Sequence, residues 1–169
     1  MSNIIYLVHT IILLLLQLVV FDNMQLNAYI YINIYVLIIY ILPNASRNII
    51  TLIWGFLLGF IIDLANNTVG IHAIASTLLT YLRPYLLSLL LNREQIDNQE
   101  RKQKINETKY FFKYVLINTT IFHAVLIICE AFSFQNFLII LLRVFYSTLI
   151  SVLFIMLYYF IALKKDKLK

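Results

Sequence analysis

Five ionisable side chains interrupt runs that are otherwise apolar: Asp63, His72, Arg83, Glu130 and Arg143. Two carboxylates, an imidazole and two guanidinium groups brought together could hold the polar group of a ligand, relay protons, or fasten helices through charge-assisted hydrogen bonds. Fastening is the reading that residue types alone favour. Gly55 and Gly59 precede Asp63 at four-residue spacing, so on a helix they form two side-chain-free steps leading to one carboxylate. Small residues so placed let a neighbouring helix approach closely. An acid at the end of such a groove is costly in lipid unless it faces the interior and finds a partner. His72, Ser76, Thr80 and Arg83 follow at intervals of four, four and three, a polar stripe on the next helix. Arg143 is the residue expected to neutralise both Asp63 and Glu130, with His72 as a titratable fourth member.

Other chemistry finds no support. There is no His-Glu-x-x-His spacing, no glycine-rich phosphate loop and no serine in a strained-turn motif, so no catalytic residue, metal or cofactor is assigned. His9 and His123 each sit alone among apolar neighbours and read as packing residues. The single cysteine, Cys129, excludes an internal disulfide and a thiolate cluster.

The elements that must position these residues follow from composition. Of 169 residues, 62% are hydrophobic and 12% charged, whereas a soluble domain is about half apolar and a quarter charged. The chain reads as a single-domain, all-α integral membrane protein, since at roughly 20 residues per crossing little length remains for anything else. The net charge of +5 could suggest nucleic acid. Its distribution argues otherwise: all but Arg83 and Arg143 of the 13 basic residues fall in segments assignable to one side, the positive-inside pattern of a bacterial inner membrane protein.

Six spans are expected, near residues 4–21, 28–42, 48–64, 71–91, 110–132 and 137–163, with a charged cytoplasmic loop at 92–109 and both termini cytoplasmic. The first has no basic leader and ends in Val19-Val20-Phe21, a poor cleavage site, so a retained helix is expected. The second is short and rich in tyrosine, and either crosses or is partly re-entrant. Pro84 predicts a kink in the fourth. On this topology Asp63, His72, Glu130 and Arg143 come from four helices and share the outer depth.

Taken in order, Gly55-x-x-x-Gly59-x-x-x-Asp63, a polar turn ending in Gly70, His72-Ala73 and Tyr81-x-Arg83-Pro84 resemble the rod shape-determining protein MreD family. Size, hydropathy and the basic loop before the last two spans extend the resemblance over nearly the whole chain. The resemblance implies a six-helix bundle similar to the substrate-binding subunits of energy-coupling-factor transporters. It also implies a non-enzymatic inner membrane component of the cell-elongation (rod) complex, supporting cell shape and lateral peptidoglycan synthesis. Its partners would be the bilayer, MreC and, through MreC, MreB, RodA and a penicillin-binding protein. The alternative is the substrate-binding subunit of a vitamin-type transporter, with the outer polar cluster as its pocket. Such subunits dock through small residues at four-residue spacing in the first span, and Ile4 to Phe21 contains no Gly or Ala.

Overall fold

The computed structural model describes residues 3–24, 30–42, 49–90, 108–131 and 136–163. Among them there are six helices and no strand. Helix α1 (Asn3–Leu16) passes into a wider π turn, Gln17–Phe21; α2 (Val36–Ile41) is short; α3 (Ile49–Asn66), α4 (Ile71–Leu90), α5 (Thr108–Ala131) and α6 (Phe137–Tyr158) follow, the last also closing in a π turn, Tyr159–Leu163. Four of these, α3 to α6, are long and apolar enough to cross a membrane.

Side-chain polarity is arranged the reverse of a soluble protein. Gln17, Asp63, Arg83, Asn118 and His123 are buried, while Ile53, Trp54, Leu57, Leu138, Leu142 and Leu153 are exposed. Polar groups that turn inward and apolar ones that turn outward fit a hydrocarbon surround, where an outward polar group has no hydrogen-bond partner. This is the architecture of a multi-pass helical membrane protein.

The α3–α4 hairpin is the tightest pair. A Cβ on Gly55 would collide with the side chain of Thr80, and one on Gly59 with the backbone of His72 and Ala73, so glycine is what allows the two helix axes to meet. Between them α3 ends in a Schellman-type turn: the Thr68 amide donates to Asp63 O (3.0 Å) and Asn67 adopts a left-handed conformation. α4 continues through Pro84 without ending.

The second expected span differs most. Of its described residues, 30–42, only Val36–Ile41 are helical, and 30–34 have no regular structure. Yet it lies at the centre: Val36, Leu37 and Ile39 have no exposed surface, and α1, α4 and α5 pack around α2. Backbone outside a helix can advance up to about 3.3–3.6 Å per residue against 1.5 Å in a helix, so 30–34 can cover more length than the same residues would as helix. The charged stretch 92–107 and the basic terminus 164–169 lie outside the described residues.

Candidate functional site

The central segment, 30–42, meets two polar layers. At one end the Tyr31 hydroxyl donates to Glu130 Oε1 (2.6 Å) while Arg143 Nη2 donates to Glu130 Oε2 (2.8 Å) and to the Tyr31 hydroxyl (3.3 Å). The Arg143 guanidinium also lies 5.4 Å from the centre of the Tyr31 ring, within cation–π range. At the other end buried Arg83 donates to the carbonyls of Tyr40 (3.3 Å) and Leu42 and to the Tyr114 hydroxyl (3.2 Å). Those carbonyls are the free C-terminal acceptors of α2, so Arg83 caps that helix with a positive charge.

Between the layers, non-helical backbone must find partners that a helix would supply internally. Gln17, buried in the π turn of α1, is the main one. Its Nε2 donates to Ile32 O (2.9 Å) and its Oε1 accepts from the amides of Ile34 (2.8 Å) and Tyr35 (3.4 Å). Two serines one turn apart on α6 complete the set: Ser147 Oγ accepts from the Tyr31 amide (3.1 Å) and Ser151 Oγ from the Asn33 amide (3.0 Å). From α5, His123 Nδ1 bonds to Thr119 O (2.9 Å), leaving Nε2 near Asn33 Nδ2 (3.3 Å) and Ser151 Oγ (3.4 Å). Tyr35 reaches α4, its hydroxyl 3.2 Å from His72 Nδ1 and 3.1 Å from Ser76 Oγ.

Asp63 is held in a different way. Its Oδ1 accepts from the His72 amide (3.1 Å) and the Thr68 hydroxyl, and its Oδ2 from the Ala73 amide (2.7 Å). The Ile74 amide bonds to Gly70 O (3.0 Å), which makes Gly70 the N-cap of α4. Glycine has no side chain to cap with. His72 and Ala73 occupy the second and third helical positions, the donors an N-cap side chain ordinarily serves, and Asp63 reaches across from α3 to serve them. The positive end of the helix dipole then stabilises the carboxylate.

Two expectations are therefore corrected. Arg143 pairs with Glu130, but Asp63 enters no ion pair among the described residues; backbone amides supply what a guanidinium was expected to. Arg83 does not share a layer with His72, since 11 residues of α4 separate them by about 16 Å. Gly55 and Gly59 lie where α4 crosses α3. Sequence reasoning passed over Gln17, Asn33, Ser147 and Ser151. The available signal was a lone amide in an unbroken aliphatic helix and two serines four residues apart. His9 and His123 are both hydrogen-bonded, His9 Nδ1 lying 2.8 Å from the Tyr158 hydroxyl. Among the described residues no three His, Cys, Asp or Glu side chains converge as a metal site. Compared with protein-family models, with curated proteins and with solved structures, the chain matches none.

Proposed function

We propose that this protein is a non-enzymatic scaffold of the bacterial cell-elongation machinery, a six-span inner membrane subunit with both termini cytoplasmic. The assignment to that machinery rests on the resemblance of residues 55–84 to the MreD pattern. It carries with it MreC as the direct partner, with MreB, RodA and a penicillin-binding protein reached through MreC. The observation that favours a scaffold over a vitamin-binding subunit is where the polar groups are directed. Asp63 bonds to two amides and a hydroxyl, Arg83 to two carbonyls and a phenol, and Glu130 to Arg143 and Tyr31. Groups so engaged clamp the bundle. A subunit built as a rigid platform would present partners with its outer helix faces.

Depletion in a rod-shaped host tests the reading. Rounded cells with no vitamin requirement, and co-purification of MreC, are expected. Auxotrophy with unchanged shape would overturn it in favour of transport.

A further inference from the structure

A groove opens between α5 and α6 along one half of the bundle. On α5 it runs from Thr120, the middle of that helix, to Phe112; on α6 it runs from Phe145, about a turn before the middle of Phe137–Ala162, to Phe160. The Phe111 and Tyr159 rings stack with their centroids 4.0 Å apart, which sets the start of α5 level with the end of α6. The wall is Phe, Leu, Val and Met except for two threonines. Thr120 Oγ1 donates to Leu116 O (2.8 Å) and the Thr148 hydroxyl is buried, so neither presents a free donor to the groove.

Charge marks the end near Phe112. Lys109, Lys113, Leu116 and Thr120 follow at intervals of four, three and four, so on α5 the two lysines continue the stripe that lines the groove. Both are exposed, and neither enters an ion pair among the described residues. From Lys109 to Thr120 is about 16 Å along the helix, close to the ~15 Å that one leaflet contributes to the hydrocarbon core. Depth and charge together define the occupant: apolar from the bilayer centre outward, one leaflet long, and anionic at the membrane surface. A transmembrane helix would run on past the bilayer centre, where the groove stops. A second copy packed symmetrically here would set its own Lys109 and Lys113 against this pair, and like charges so placed are unfavourable.

We propose that Lys109 and Lys113 hold the phosphate of an anionic glycerophospholipid, one of whose acyl chains lies in the groove along Phe112, Leu116 and Leu153 and ends at the level of Thr120. Lysine stems lie along apolar surface while their charges stay in the wet interface, where they attract anionic headgroups. The site depends neither on the cell-elongation reading nor on which side of the membrane these lysines face.

The test uses the full chain in nanodiscs of equal parts phosphatidylglycerol and zwitterionic phosphatidylethanolamine. After mild delipidation, native mass spectrometry should find one phosphatidylglycerol per chain. With a diazirine at the end of its acyl chain the adduct should map near Thr120 and Leu149, and with a diazirine beside the ester near Phe112 and Phe160. Lys109→Gln with Lys113→Gln should lower retention about thirtyfold, the effect of two surface lysines on an anionic headgroup, while Lys109→Arg with Lys113→Arg keeps it and thermal stability is unchanged in both. Leu153→Trp, which fills the groove, should remove retention and adduct together. Equal retention of the two lipids, unchanged retention in the glutamine double variant, or adducts spread evenly over α3 and α6 overturns the proposal. So does a dimer that Leu153→Trp dissociates, because a second helix would then occupy the groove.

Discussion

The α3–α4 hairpin and the central segment 30–42 are both buried, yet they are held by opposite means. In the hairpin the two helices satisfy most of their own backbone, and at the start of α4 a single carboxylate accepts from the amides of His72 and Ala73. The central segment cannot satisfy itself through 30–34, so side chains of α1 and α6 are drawn in to serve its backbone, while His123 of α5 meets the Asn33 side chain. What differs is the distance in sequence between a polar group and its partner: nine or ten residues for Asp63, and up to 118 for the amide of Asn33. Backbone demand, more than attraction between charges, decides where polar side chains sit in this bundle.

That difference can be broken from either side. The largest effect is expected at Gln17→Leu, which leaves two amides and a carbonyl of the central segment without partners in a dry interior. At about 1–3 kcal/mol per orphaned group, partly relieved by rearrangement, the loss should be about 3–5 kcal/mol, read by denaturant titration in detergent. Hydrogen exchange should localise it to 30–35 and spare α3 and α4. Next, Asp63→Ala uncaps α4 and should lose about 2–3 kcal/mol, with faster exchange at the His72 and Ala73 amides. Gly59→Val forces a branched side chain against the α4 backbone and should destabilise by about 1–3 kcal/mol, again confined to the hairpin. Smallest is Glu130→Gln. The Glu130–Arg143 pair is partly exposed, at 35% and 14%, and such pairs contribute at most about 1 kcal/mol.

The same contrast explains what could be read from the residues beforehand. The hairpin was legible because its determinants are local: Gly55 and Gly59 at helical spacing, an acid after them, and Gly70 at the turn. The need of Asp63 for a partner was legible too, but the partner was not. A search for opposite charges counts side chains, and the partner here is a helix end whose cap position holds a glycine. Glu130 and Arg143 were within reach because they stand near the facing ends of two consecutive helices. The role of Gln17, Ser147 and Ser151 was out of reach for a different reason. While 28–42 is taken as helix, its backbone has no open donors and these side chains have nothing to serve. Tyrosine content and short length marked that span as unusual, without showing that five of its residues leave the helix.

Thermal stability of two charge-exchanged double variants tests the central claim most directly. Exchanging Glu130 with Arg143 (Glu130→Arg with Arg143→Glu) should recover most of what either single change loses, because those side chains meet each other. Exchanging Asp63 with Arg143 (Asp63→Arg with Arg143→Asp) should recover nothing and place a cation against the donors of α4. Recovery in the second pair, to the level of the first, would show that Asp63 is held by the Arg143 guanidinium and not by the amides of His72 and Ala73.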